Sequence, residues 1–461
     1  MAAQQIGSAR TAVRVGSPPR TSSPRRSVKP FASPPTILDT PSPIRPLRHR
    51  PIGRGLAAIS RAAQSTSVLV PLAIFGVSRI VDGLILTAAS THQVALELTA
   101  PAYVVTTPVP ASPGYLGVVS NWDGQWYRLI AEQGYPAALP RVDGHVAQNA
   151  WAFYPGYPYL VRFGMTLSGG SFPIVATVTS LLLGALAAVL VHRLLLPAGR
   201  FAAGATVACL VMFAASPVLQ TAYSESLALV LVAGSLLALR HRCYGLVLVL
   251  GLALSVTRPV VLPLAAVVVA HGLVRFHRER GEFALRDRTA AVGLAALLVV
   301  STGLWPLIAG LVTGRPDAFF ATQAAWPANQ GSGGLFGSWL GNLVTGTTPI
   351  RLVITVCLVA GVLLITLRRS AAVWGLELRV WALAYPLFIL ATARPTPSIL
   401  RYGILAIAIF WPIPENPATR RDEVARWIVL GVLLLSGLAT QFIWVNHVYT
   451  IQVTDGNIPY P

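Results

Sequence analysis

The segment NWDGQWYRLIAEQGYP, residues 121–136, sets a single carboxylate, Asp123, between Trp122 and Trp126 and directly before Gly124. Glycine at that point permits close backbone approach. A carboxylate so placed can take a proton from a hydroxyl as a general base or cap the helix that follows, and the residue types leave both readings open. A second carboxylate, Glu225, stands between Ser224 and Ser226 in TAYSESLALVL, 221–231. It serves chemistry there, or it complements the positive end of a helix dipole. Arg258, in SVTRP at 255–259, offers a planar bidentate fork suited to phosphate, or it snorkels to a membrane interface. Arg394 and Arg401, in TARPTPSILRY at 392–402, make a second candidate basic pair.

Other chemistries find little. Cys209, Cys243 and Cys357 all lie in apolar runs, with no spacing for a disulfide framework or a zinc site. His145 has no neighbour at ligand spacing, so no metal site is assigned. No cofactor is certain, and a divalent cation stays open. The chain has no DxD sugar-nucleotide motif.

The elements that must position these residues are membrane helices. Of 461 residues, 54% are hydrophobic and 11% charged, against about 25% charged in ordinary globular proteins. A mean hydropathy of +0.63 with repeated long apolar runs fits helices crossing a hydrocarbon layer about 30 Å thick. The expectation is an all-α polytopic membrane protein with about eleven spans: 68–90, 172–196, 201–218, 224–240, 243–257, 259–274, 290–313, 351–367, 372–392, 399–413 and 427–446. Arg79 and Asp82, three residues apart in the first span, are expected to form an ion pair, because each alone near mid-bilayer is costly.

Net charge is +19, and residues 1–67 supply +10 of it through eleven basic side chains and Asp39. That segment, rich in Ser, Pro and Arg, reads as a disordered cytoplasmic tail. The tail and the loops 192–200, 240–242, 275–288, 368–379 and 415–426 hold 26 of the 35 basic residues, as the positive-inside rule requires of cytoplasmic segments. The charge is therefore topological and no nucleic-acid partner is implied. Residues 68–446 form the membrane domain of a cell-membrane protein, with a large first outer loop at 91–171 and an outer C-terminal tail at 447–461. Trp122, Trp126 and Ile130 recur on one helical face, which suggests a lateral amphipathic helix lying on the bilayer.

WDGQWY followed by IAEQGYP closely resembles the signature of the PIG-V family, the second mannosyltransferases of GPI-anchor assembly and their bacterial relatives. YPGYPYLVR at 154–162, YSES at 223–226 and SVTRP at 255–259 follow in the family's order. The resemblance covers roughly residues 68 to 275 and implies a GT-C fold, a polyprenyl-phosphate sugar donor, and a lipid, glycan or protein acceptor. It implies an outer-face active site with Asp123 as general base and Trp122, Gly124, Trp126, Tyr127, Tyr154, Tyr157, Glu225 and Arg258 as substrate-binding residues. The sugar so implied is mannose. The rival class is a polytopic transporter or lipid flippase, whose usual pointer is a pair of interrupted spans at matching places in two similar halves. No internal repeat of that kind is found.

Overall fold

The computed structural model describes residues 52–96, 106–326, 349–411 and 419–452, with Leu335 and Trp339 between. The chain divides into units Met1–Gly55 and Leu56–Pro461. Only residues 52–55 of the first are described, so the architecture is that of the second.

Helices follow one another as α1 (Ile52–Ser90), α2 (Gly114–Val118), α3 (Asp123–Gln133), α4 (Gly156–Ser168), α5 (Phe172–Leu195), α6 (Arg200–Val211), α7 (Glu225–Arg240) and α8 (Tyr244–Ser255). They continue as α9 (Val261–Arg278), α10 (Leu285–Ser301), α11 (Leu304–Thr313), α12 (Ala318–Ala324), α13 (Pro349–Leu367), α14 (Leu376–Thr392), α15 (Ser398–Gly403) and α16 (Arg420–Trp444). Among the described residues the only strands are β1 (Arg141–Val142) and β2 (His145–Val146), a two-residue antiparallel hairpin. The fold is all-α, as expected. Most of the tail expected at 1–67 lies outside the described residues, but 52–67 is helical and continues into the first apolar run. After Pro51 that stretch has no proline and is rich in alanine, the best helix former.

Four helical stretches are long and apolar enough to cross a membrane: Thr66–Ser90, Phe172–Ala198, Val261–Arg278 and Arg420–Tyr449. Counting α10 with α11, bent by 42° at a short break, makes up to five. The expected eleven are not matched. The runs at 201–218, 243–257, 351–367 and 399–413 carry the shorter apolar helices Arg200–Val211, Tyr244–Ser255, Val356–Leu367 and Ser398–Phe410. A helix of 12 residues such as α6 or α8 reaches about 18 Å at 1.5 Å per residue, well short of a core about 30 Å thick. α7, with 16 residues, and α14, with 17, are also below the length of a full span. The long helices keep apolar side chains on their outside, among them Ile80 and Leu84 on α1, Leu182 on α5 and Leu435 on α16.

Two broken stretches set up the site. After α6, the chain makes a 3₁₀ turn at Ser216–Gln220 before α7. Backbone groups freed by such a break need partners where water is scarce. Arg79 on α1 supplies them, donating to Val211 O at 2.9 Å and Ser216 O at 2.8 Å while pairing with Asp82 at 2.8 Å. The expected Arg79–Asp82 pair thus forms. Gln441 on α16 adds bonds to Val211 O at 3.2 Å and Ser216 Oγ at 2.6 Å. The second break follows α15, where Ile404–Phe410 is 3₁₀ and Ile407 has φ 48°. From α14, Trp381 Nε1 donates to Leu405 O and the Tyr385 hydroxyl to Tyr402 O, each at 2.7 Å.

At the other end of the bundle, arginines close helix C-termini. Arg240 donates to Leu194 O at 2.9 Å and Trp374 O at 2.7 Å, and Arg379 to Thr366 O at 2.5 Å and Leu367 O at 3.0 Å. Side chains of this kind satisfy the last carbonyls of a helix and suit its negative pole. The residues expected as an outer tail at 447–461 begin as packed structure. A π-helical turn, Val445–Tyr449, follows α16, Tyr449 and Ile451 are buried, and Val94 N donates to Ile451 O at 3.2 Å. Residues 453–461 lie outside the described residues.

Candidate active site

Asp123 is the first residue of α3, not its cap. The cap position belongs to Trp122, whose side chain makes no capping bond. The Asp123 carboxylate turns instead to Arg401, pairing through Oδ2 with its Nη1. The Arg401 Nε lies 3.3 Å from Glu225 Oε1, and Arg258 Nη1 lies 2.7 Å from the same oxygen. Four charged groups from the WDG, SES, SVTRP and ILRY segments therefore meet, two carboxylates with two guanidinium groups. Side-chain exposure is 27% for Asp123, 12% for Arg258, 5% for Arg401 and 1% for Glu225. Glu225 likewise starts its helix with no capping bond from Ser224. Its carboxylate holds both arginines, so it does more than complement the α7 dipole.

Hydroxyl and ring groups complete the cluster. Ser224 Oγ accepts from the Tyr127 hydroxyl at 3.1 Å and from Arg258 Nη1 at 3.2 Å. Arg401 lies over the Tyr223 ring at 4.9 Å and over Tyr402 at 5.4 Å, and Arg258 is also 5.4 Å from the Tyr402 centroid. Cations over such faces are stabilised by the ring quadrupole. Burial works most strongly against the Arg258 charge, but the Glu225 carboxylate, joined by Tyr127 and Tyr385, holds the pKa above the ordinary arginine value. Burial, joined by the Asp123 charge, pushes the Tyr127 hydroxyl up, so it stays protonated and donating.

Backbone placement explains why these segments can meet. Ala222 N donates to Val119 O at 2.9 Å and the Tyr223 hydroxyl to Asn121 O at 3.3 Å, which lays the TAYSES strand of chain along the turn before α3. Gly156, at the start of α4, donates its N–H to Val256 O at 2.7 Å. A Cβ there would stand 2.4 Å from Thr257 Oγ1 and 2.9 Å from Val256 O, so only glycine allows the YPGYP and SVTRP segments to touch. Gly124 is less constrained, since its Cβ would meet Ala222 Cβ at 3.4 Å, ordinary contact. The SVTRP turn itself separates α8 from α9 and leaves Arg258 between them, as the proline there requires.

Trp122 has φ 55° and is buried, a conformation bulky residues rarely adopt. Its Nε1 donates to Tyr449 O at 2.7 Å, and Asn121 Nδ2 to Gln93 Oε1 at 2.8 Å and to Tyr449 O at 3.3 Å. Trp126 stacks on Phe153 at 5.7 Å and meets Trp326 edge-on at 5.6 Å. The face of α3 carrying Trp122, Trp126 and Ile130 is thus buried in protein, at 2%, 3% and 0% exposure, and does not lie on the bilayer. Its open face is polar, where Arg128 pairs with Glu132 at 2.8 Å. Tyr157 is fully buried, its hydroxyl 2.9 Å from Ser180 Oγ and its ring 5.3 Å from Tyr127, so it supports Tyr127 from behind.

Tyr154 is placed elsewhere, in an aromatic cluster with Trp151 and Trp305. That cluster borders a groove of about 440 Å³ lined by Tyr135, Trp151, Tyr159 and Trp305, with Gly156 and Val256 at its edge. The polar atoms of three of these rings are spent on backbone carbonyls: Tyr135 on Phe153, Trp151 on Pro136 and Trp305 on Trp151. Apart from the Tyr159 hydroxyl, the lining side chains then offer ring faces and aliphatic surface.

Of the Arg394 and Arg401 pair, Arg401 is the one joined to Asp123. Sequence spacing singled out neither Tyr402 nor Tyr223, and only the aromatic residues beside Arg401 and Ser224 hint at them. Among the described residues no group of three His, Cys, Asp or Glu side chains is placed to hold a metal ion. The Arg401 guanidinium sits between the Asp123 and Glu225 carboxylates where a divalent cation would have to bind. These residues do not fit a resident cation, and no step is derived through one. The chain matches no family model and no curated protein.

Proposed function

We propose that the protein is an integral membrane glycosyltransferase that moves a sugar, mannose by resemblance to the PIG-V family, from a polyprenyl-phosphate donor to an envelope lipid, glycan or protein acceptor. The observation that carries this reading is the meeting of Asp123, Glu225, Arg258 and Arg401 from four distant segments. Such a transfer needs a base for the acceptor hydroxyl and cations for the departing phosphate. In the reading offered, Asp123 accepts the hydroxyl proton as that oxygen bonds to the anomeric carbon. The bond from this carbon to the phosphate oxygen breaks, and the lipid phosphate leaves with the electron pair beside Arg258 and Arg401. Glu225 keeps the two guanidinium groups in register.

The aromatic groove suits the donor's isoprenoid chain. Val256 lines the groove and is two residues from Arg258, so in this reading a chain lying there carries its phosphate head to the arginines. An outer-face site in a cell membrane belongs to the same reading and draws on the arginine distribution.

Transfer from polyprenyl-phosphate mannose by the purified full chain tests it. Asp123→Asn is close to isosteric and removes the basicity, so turnover should fall about 10²- to 10⁴-fold with an unchanged unfolding temperature. Transfer within a few-fold of wild type would overturn the assignment of Asp123.

A further inference from the structure

The four charges sum to zero, so the cluster as it stands offers no net attraction to an anion. Its members are not equivalent. Glu225, 1% exposed, contacts both arginines at 2.7 and 3.3 Å and stays fixed beneath them. Of the two arginines Asp123 pairs only with Arg401 and, at 27%, is the most exposed of the four. Any phosphate reaching Arg401 therefore arrives on the side that Asp123 covers. Among the described residues neither Arg258 nor Arg401 donates a side-chain bond to a backbone carbonyl; their partners are carboxylates, Ser224 and ring faces. A carboxylate oxygen engaged by a guanidinium is also poorly placed to receive a hydroxyl proton.

We infer that the Asp123–Arg401 pair is a latch that a phosphate monoester opens: the phosphate takes Arg401, Glu225 holds both arginines in place, and the displaced Asp123 becomes available as a base. The inference rests on the glycosyltransferase reading and adds an order to it, with the phosphate-bearing donor binding before the hydroxyl acceptor. Until the donor is in place the base stays masked, which also keeps water from being activated against the sugar.

The test measures binding of undecaprenyl phosphate, with undecaprenol as the control that carries the chain alone, to the detergent-solubilised full chain. Asp123→Asn removes the competing carboxylate and should bind the phosphate about tenfold more tightly than wild type, the scale of one part-exposed ion pair, while binding of the alcohol stays the same. Asp123→Ser carries the same expectation if the asparagine variant folds poorly. Arg401→Gln should lose the preference for phosphate over alcohol. If Asp123→Asn binds the phosphate no tighter while Arg401→Gln loses it, the latch is overturned and the phosphate site stands. If wild type binds undecaprenol as tightly as its phosphate, the donor reading fails and the latch falls with it.

Discussion

Arg79 and Arg401 are 6% and 5% exposed and each pairs with an aspartate, yet they do opposite things with their remaining donors. Arg79 spends them on Val211 O and Ser216 O, the carbonyls opened by the break between α6 and α7. Arg401 reaches Asp123, Glu225 and two tyrosine faces, all side chains. Removing the first leaves Asp82 without its partner and takes a donor from two backbone carbonyls; removing the second leaves side chains that can turn or take another partner. A buried charge that touches backbone is part of the fold, and one that touches only side chains is open to exchange with a ligand.

The sharpest way to break this comparison is substitution of both arginines. Arg79→Ala leaves Asp82 as an unpaired buried charge and takes a donor from Ser216 O and Val211 O, so about 3–5 kcal/mol of stability should be lost. Arg401→Gln should cost less, about 1–3 kcal/mol, because Asp123 gains water and Glu225 keeps Arg258. Equal falls in unfolding temperature for the two variants would erase the distinction.

Glycine exchange probes the same contrast on the backbone. Gly156→Ala drives a Cβ into Thr257 Oγ1 and Val256 O and should destabilise by about 1–3 kcal/mol as an overpacked contact, while lifting the SVTRP turn and weakening donor binding. Gly124→Ala, with ordinary contact distances, should cost about 1 kcal/mol or less and leave stability close to wild type. Thermal unfolding of the two variants side by side decides it. Smallest of all, Tyr154→Phe keeps the ring against Trp305 and Phe319 and should change stability by about 0.5 kcal/mol or less, with transfer unaltered; a large loss of transfer would return Tyr154 to the site.

Asp123, Glu225 and Arg258 were legible because each stands in a compact local motif whose residue types suggest acid, base or phosphate chemistry. Arg401 carries the link between the carboxylates, but it is 278 residues from Asp123, and no local pattern encodes contact at that distance. The aromatic face of α3 was visible as a face, yet period alone does not say whether lipid or protein covers it; Phe153 and Trp326 cover Trp126. Apolar runs located twelve of the sixteen described helices and missed α2, α3, α4 and α12. Their number overstated the spans because hydropathy does not register breaks such as Ser216–Gln220, which shorten helices without making them polar.

The bond from Trp122 Nε1 to Tyr449 O joins residues 327 apart. A ribosome therefore makes the strained tryptophan long before the carbonyl that restrains it exists. Holding a tryptophan at positive φ costs on the order of 1–3 kcal/mol, and the bond to Tyr449 O helps offset that cost only once the end of α16 is in place. On the glycosyltransferase reading, a chain clipped before the Val445–Tyr449 turn keeps most of its helices but loses this restraint one residue before Asp123, and should transfer less sugar than the full chain.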